Sequence, residues 1–410
     1  MIRIVVPALL GLEAVVAEEL LSLGHEPAAV ETGNGRVSFQ TAPEHLADAV
    51  ARANLWLRSG ERVLIELGRF PARDFDALFD GVSALPWEDF IPPGAAFPVK
   101  GSTRASRLES VPACQSIVKK AVVERLRPRL GLAPGAALPE DEQTAFCRIQ
   151  FTIVDDVASL MLDTTGEPLH KRGYRPVSTE APLRETLAAA MVLLLKWRPF
   201  SDEVLVDPFC GSGTLPVEAA MIACGVAPGA ARRFACERWP AVGPAVFAAA
   251  REEAAEFSRP RLLTARDFAA DGRRFVFGSD LDPAAVALTA KNVSRAGVEG
   301  LVGLRAGDAL SLSPAALTEW TGSGRRLVLC NPPYGERLLD AEQAAEISRG
   351  IGRTFLDRGS APVGSRVAVL SAVTDFERLA GAPADKRRKL YNGMIQCHLY
   401  QYFRWRKPAP

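Results

Sequence analysis

Two short stretches carry residue types whose spacing suits chemistry on a nucleotide-like ligand. The first is Asp207-Pro208-Phe209-Cys210-Gly211-Ser212-Gly213-Thr214, which follows an apolar run at 204–206 and precedes residues with helical spacing. Two glycines let the backbone pass close to a ligand, and Asp207 at the strand end can accept hydrogen bonds or face a cation. The order lacks the lysine of a phosphate loop, and Pro216 stands where the third glycine of a dinucleotide fingerprint would fall. A nucleotide-like ligand without a pyrophosphate fits better. The second stretch is Asn331-Pro332-Pro333-Tyr334, after the apolar run 327–330. It places an amide, a rigid turn and an aromatic ring at another strand end.

Two further acids fall between these stretches. Asp280, in Gly278-Ser279-Asp280-Leu281-Asp282-Pro283, stands where doubly wound folds keep the acid that accepts ribose hydroxyls. Asp308, in Ala306-Gly307-Asp308-Ala309, could accept from an adenine amino group. A helix N-cap is the competing role for either aspartate alone. Their succession after consecutive strands favours the ligand role.

The elements that must position these residues follow from periodicity. From about residue 169 the chain repeats strand, glycine turn and helix, the pattern of a doubly wound α/β sheet. Strands are expected at 204–206, 275–278, 302–305, 327–330 and 367–370, with helices at 215–223 and 283–296. Residues 225–270, rich in Ala, Arg and Glu, read as a helical insertion. Upstream the pattern is α+β. Strands at 2–6, 36–40 and 62–67 alternate with helices marked by Leu12, Val16, Leu20 and Leu23, then by Leu46, Val50 and Ala53. A second unit has a strand at 97–103, a basic-faced helix at 113–130, a loop at 132–140, and a strand alternating through Cys147, Ile149, Phe151 and Ile153. That last strand pairs with 157–162 across Asp155-Asp156.

In this order, the glycine loop, Asp280, Asp308 and Asn-Pro-Pro-Tyr resemble the motifs of class I S-adenosylmethionine-dependent methyltransferases. The tetrapeptide is similar to that of the subset methylating exocyclic amino nitrogens of nucleobases. His170-Lys171-Arg172-Gly173-Tyr174-Arg175, Ala181-Pro182-Leu183-Arg184-Glu185-Thr186-Leu187 and Leu390-Tyr391-Asn392-Gly393-Met394 resemble segments of the THUMP-domain RNA guanine-N2 methyltransferases, notably the bacterial 23S rRNA enzymes. The resemblance covers most of the chain. It implies a Rossmann-like class I methyltransferase domain with a seven-stranded, mostly parallel sheet at 166–410. An N-terminal ferredoxin-like domain at 1–60 and a THUMP-like RNA-binding domain at 61–165 would precede it.

The resemblance also implies roles. S-adenosylmethionine would be held by Asp207, Phe209, Cys210, Gly211, Ser212, Gly213, Thr214, Asp280 and Asp308. Asn331 and the carbonyl of Pro332 would accept hydrogen bonds from the guanine amine, Pro333 would help to fix the turn, and Tyr334 would stack on an unpaired base. No metal and no strong general base are implied, and Cys210 and Cys330 read as buried small hydrophobes rather than nucleophiles. The same tetrapeptide occurs in DNA adenine-N6 methyltransferases, so the motif fixes the type of nitrogen better than the base. Transfer RNA is the nearest alternative to ribosomal RNA, and a non-catalytic ribosome-assembly factor that keeps the fold is the reading from another class. The chain stops soon after an aromatic strand at 399–405, leaving no room for the second methyltransferase domain of some relatives, so a single modification is expected.

Charge supports a nucleic-acid partner only locally. The formal net charge is +1, yet residues 100–130 carry eight cations against Glu109 and Glu124. Lys100, Arg104, Arg107, Lys119, Lys120 and Arg125 are the candidate phosphate contacts, and 386–389 is a second basic run. Solvated helix faces are the bland reading of both. Apolar content of 48% with 24% charge is that of an ordinary globular protein. No apolar run approaches the ~18 residues needed to cross a bilayer, and no signal peptide is legible, so a cytoplasmic location is expected. Seven cysteines show no paired spacing and four histidines lie apart from them, which supports neither disulfides nor zinc.

Overall fold

A computed structural model describes residues 1–176, 183–333, 341–356, 362 and 364–404. Two compact units divide the chain. The first comprises Met1–Ala8, Val16–Leu169 and Gly229–Glu253, and the second comprises Leu9–Val15, His170–Pro228 and Ala254–Pro410.

The first unit is built on strands β1 (Ile2–Pro7), β2 (Val30–Gly33), β3 (Arg36–Thr41), β4 (Leu64–Pro71), β5 (Ala95–Ala96), β6 (Val99–Arg104), β7 (Asp141–Phe146), β8 (Ile149–Val154) and β9 (Val157–Asp163). Seven of them form one sheet in the order β2-β3-β1-β4-β9-β8-β6, while β5 and β7 pair separately. All contacts in the seven-stranded sheet are antiparallel except β6 with β8. Asp155 and Asp156 close the β8–β9 hairpin with φ of 52° and 59°. Two left-handed residues match the twist of the flanking strands, and aspartate tolerates that conformation. The helices are α1 (Glu13–Ser22), α2 (Leu46–Trp56), α3 (Phe75–Ser83) and α4 (Val111–Arg129). The Ser110 hydroxyl caps α4 by accepting from the Ala113 N–H at 3.4 Å, and Cys114, Val118, Ala121, Val122 and Leu126 form its buried stripe.

The second unit contains α5 (Glu185–Leu194), β10 (Glu203–Asp207), α6 (Thr214–Cys224), β11 (Val276–Asp280), α8 (Pro283–Arg295), β12 (Val302–Ala306), α9 (Pro314–Thr321), β13 (Arg325–Cys330), α10 (Ala341–Phe355), β14 (Arg366–Ser371), α11 (Phe376–Ala380), β15 (Lys386–Asn392) and β16 (Ile395–Tyr402). The long helix α7 (Pro244–Ala270) fills much of the expected insertion and carries Pro260 within it. The sheet order is β12-β11-β10-β13-β14-β16-β15. Strands β10 to β14 are parallel, and β16 is antiparallel to both its neighbours. Core strands such as Val204-Leu205-Val206 and Leu327-Val328-Leu329-Cys330 are buried throughout, as a parallel sheet covered on both faces requires. One core joins Leu205, Leu327, Leu329 and Leu370 to α5, α6 and Val293 of α8, and another joins Val328, Val369 and Tyr400 to Leu317, Ile351 and Phe376.

The basic run 386–389 lies on edge strand β15, not on a helix face. Its continuation through the buried Leu390, paired with Cys397 of β16, fixes it as sheet. Among the described residues no helix is long and apolar enough to cross a membrane, and no group of three or more His, Cys, Asp or Glu could hold a metal ion.

Candidate active site

The glycine turn is positioned by β10 below and α8 beside it. Asp207 is the last residue of β10 and only 2% exposed. Its Oδ1 accepts from the Phe209 N–H at 3.1 Å. Burial pushes its pKa up to about 8; the Phe209 N–H pulls it down and the nearby Asp280 charge raises it further. Gly213 has φ +83°, and a Cβ there would stand 2.5 Å from the Thr289 side chain, so both backbone and space demand glycine. The Thr289 Oγ1 donates to the Gly211 carbonyl at 2.8 Å, and the Asn292 Nδ2 to the Ser212 carbonyl at 2.8 Å. Two side chains from one turn of α8 thereby fix the loop before any ligand arrives.

The acids sit on the next two strand ends. Asp280 ends β11 and ties the two loops together, its Oδ2 accepting from the Gly211 N–H at 2.8 Å and its Oδ1 from the Asp282 N–H at 3.0 Å. The N-cap of α8 is Asp282, which leaves Asp280 outside the capping role. Asp308 does act as a cap, accepting from the Leu310 N–H at 2.9 Å, and it also faces the cavity. Asp308 thus caps a short helical turn and lines the cavity at the same time.

These groups line a cavity of about 610 Å³. Asp207, Phe209, Cys210, Gly211, Ser212, Thr214, Asp280 and Asp308 are in its wall, with Asn331 and Pro333 on another side. Gly213 is not in the wall and shapes the turn from behind. Pro332 is buried and likewise off the wall, and Tyr334 lies outside the described residues. The Asn331 Oδ1 is buried and finds no hydrogen-bond partner among the described residues. An acceptor left bare in this way costs ~1–3 kcal/mol unless a donor meets it. Cys210 and Cys330 are buried, and burial pushes both thiols up, which favours the neutral thiol over the nucleophilic thiolate.

Several wall residues carry no motif signal. Leu183, Leu215, Leu281, Ala285, Leu310 and Ile347 supply apolar surface around the acids. Leu281 is 74% exposed directly after Asp280, an apolar side chain on the cavity wall. Arg175 was missed as well. Its Nη1 donates to the Thr214 Oγ1 at 2.6 Å and to the Leu183 carbonyl at 3.1 Å, while its Nη2 meets Glu185 at 2.9 Å. It braces two wall residues without entering the cavity. The only sequence hint was its place in a recognisable flanking segment.

The candidate RNA-binding cations of the first unit divide into two groups. Lys100 and Arg104 are exposed on β6, and Arg107 is exposed 3.9 Å from Asp156. Lys119 turns back onto Glu140 and the Phe97 ring, and Arg125 makes two hydrogen bonds to Glu88 at 3.0 and 2.7 Å. That pairing holds Glu88 below the usual carboxylate range. Lys120 sits 5.7 Å from the Phe79 ring.

Comparison with known proteins bears on the same regions. Family models match at residues 3–64 (RlmL ferredoxin-like domain), 72–163 (THUMP domain) and 172–401 (RMKL-like, methyltransferase domain). The chain belongs to the RMKL-like methyltransferase family. Within that family it is 38% identical to YpsC of Bacillus subtilis (strain 168), whose name proposes RNA methyltransferase activity, over 99% of this chain and 97% of that one. The solved structure of SMU.472, complexed with S-adenosylhomocysteine, is 38% identical with a TM-score of 0.84 and 99% coverage of both chains. A structure from Listeria monocytogenes named as a predicted N6-adenine-specific DNA methylase is also 38% identical, with a TM-score of 0.83 over 98% and 96% of the two chains. Ribosomal RNA large subunit methyltransferases K/L match too, that of Hahella chejuensis at 35% identity over 96% of this chain. The chain spans about half the length of those K/L relatives, 52% in that case.

Proposed function

We propose that this protein transfers a methyl group from S-adenosylmethionine to the exocyclic N2 amine of a guanosine in 23S ribosomal RNA. The observation that carries the reading is the buried Asn331 Oδ1, without a partner among the described residues, on the wall of a cavity whose other walls suit a nucleoside. The donor fits the residues present. The loop approaches it through backbone and lacks a phosphate-binding lysine, Asp280 and Asp308 offer acceptors on consecutive strand ends, and Leu281 and Leu310 offer apolar surface. When bound, S-adenosylmethionine supplies an electrophilic methyl group on a sulfonium centre.

The chain's own residues do the rest by position and charge. A guanine amine is a poor nucleophile because its lone pair is delocalised into the ring. Asn331 Oδ1 accepts from one of its N–H bonds, orienting the nitrogen and favouring the tetrahedral geometry of attack, while the buried Pro332 fixes the turn behind it. Tyr334 stacks on the base once it has left its helix. Asp207 in its ionised form offsets the positive charge of the donor. The amine becomes acidic only after transfer, so its proton passes to water without a dedicated base. Alignment of this kind can supply up to ~7–11 kcal/mol.

RNA is favoured over DNA by the THUMP match at 72–163 and by the exposed cations of β6. The test is incubation of purified protein and labelled S-adenosylmethionine with total RNA from a strain lacking the gene, followed by mass spectrometry of the labelled nucleoside. N2-methylguanosine in large-subunit RNA is expected. Label in transfer RNA would move the substrate, and N6-methyladenine in genomic DNA with unlabelled RNA would overturn the reading.

A further inference from the structure

Strand register places the β15–β16 hairpin beside the catalytic end of the sheet. Cys330 of β13 is level with Val369 of β14, Val369 with Tyr400 of β16, and Tyr400 with Arg387 of β15. Arg388 is thus level with Asn331. Strand β14 stops at Ser371, which pairs with His398 and through it with Lys389. Beyond that level the hairpin has no third strand beside it: it continues through Leu390↔Cys397, Tyr391↔Gln396 and Asn392↔Ile395, with Leu390 and Cys397 buried in the core alongside Leu12, and turns at Gly393 with φ +63°. At 3.3 Å per residue this overhang is about 10 Å, and three strand spacings put β15 about 14 Å from β13. Both distances are within a few nucleotides of a base held at Asn331.

The hairpin carries the groups that single-stranded RNA binds. Lys386 and Lys389 are exposed and have no ion pair among the described residues. Lys389 Nζ lies 5.4 Å from the centre of the half-buried Tyr391 ring, on the same side of the strand. Arg387 is exposed although it meets Glu377 at 3.0 Å. At the tip Met394 is 98% exposed and Ile395 44% exposed. Lysines on an edge strand also block edge-to-edge pairing. That role does not call for a methionine that is 98% exposed at the tip. Cations for phosphates interleaved with an aromatic ring and a polarisable methionine form a platform for unstacked bases.

We propose that the β15–β16 hairpin is a second RNA contact, gripping the strand that flanks the nucleotide presented to Asn331. The inference rests on the RNA methyltransferase reading above. It is tested on the full-length protein with three variants: Lys386→Ala with Lys389→Ala, Tyr391→Ala, and Met394→Ser. RNA affinity is measured against salt with 23S ribosomal RNA, alongside methyl transfer, S-adenosylhomocysteine affinity and thermal midpoint. The lysine pair should reduce the salt slope by about 1.4, two single-stranded phosphate contacts' worth. Tyr391→Ala should weaken RNA binding about tenfold. Met394→Ser should raise the KM for RNA while kcat holds. S-adenosylhomocysteine affinity and thermal midpoint should stay at wild-type values in all three, showing that the fold and donor site are intact. If wild-type protein methylates RNA while all three variants keep its salt slope, RNA affinity and KM, the hairpin proposal is overturned and the methyltransferase reading stands. If wild-type protein neither binds nor methylates RNA, both fall.

Discussion

Asp207 should make donor binding depend on pH. It is fully buried at the end of β10, with its pKa pushed up to about 8, so near neutrality it is mostly protonated in the free protein. A cationic ligand favours the ionised form, and binding must then release a proton. With a pKa of about 8 the ionised fraction rises from about 1 in 100 at pH 6 to about 9 in 10 at pH 9, worth ~90-fold in affinity or ~2.7 kcal/mol. Isothermal titration calorimetry with S-adenosylmethionine in buffers of different ionisation heat reads both affinity and proton release. The ligand's own α-amino group titrates near 7.7–8.0, so the informative quantity is the wild-type profile divided by that of Asp207→Asn. The same pKa fixes a stability effect of opposite sense. Because the folded state holds this proton more tightly than the unfolded state, stability from Asp207 is complete below about pH 4 and is lost as pH rises toward 8. Asp207→Asn should therefore stabilise the free protein at pH 8 while weakening donor binding. A variant with an unchanged pH profile and no gain in thermal midpoint at pH 8 would refute the assignment.

Three further expectations follow from the site. Asn331→Ala should leave S-adenosylhomocysteine affinity within a few-fold while lowering kcat by orders of magnitude; near-normal turnover would remove the amide from the chemistry. Gly213→Ala combines a left-handed backbone penalty of ~1–2 kcal/mol with ~1–3 kcal/mol of overpacking against Thr289, so urea unfolding should show a loss of ~2–5 kcal/mol. Replacing Lys100, Arg104 and Arg107 together by alanine should flatten the salt dependence of RNA binding more than replacing Lys119 and Arg125, whose charges already meet Glu140 and Glu88. Equal slopes for the two sets would show that the internal ion pairs open on RNA.

What could be read from the chain alone was whatever lies close in sequence. The glycine turn, Asp280 and Asp308 are each defined by a few consecutive residues after an apolar strand, and all three reach the cavity wall. The reason for Gly213 was hidden because Thr289 comes from another helix. Leu281 and Leu310 were invisible because an apolar residue shows its use only when folding leaves it facing a cavity. The partners of Lys119 and Arg125 lie outside the window in which the local charge was counted, so an apparent excess of cations was partly neutralised by Glu140 and Glu88. Run 386–389 suggested a solvated helix face because four charges in a row hide alternation, and only pairing with β16 settles it as strand.

Strand β4 has a consequence for how the N-terminal half can be inherited. The ferredoxin-like match ends at residue 64 and the THUMP match begins at 72, and β4 fills the space between them. It bonds to β1 on one side and to β9 on the other. Each module therefore supplies the neighbour that covers the other's open edge. Recombination at this junction would leave a row of bare backbone donors and acceptors on both products, inviting aggregation. A THUMP region transplanted to another enzyme should thus travel with its ferredoxin-like companion, as one cassette.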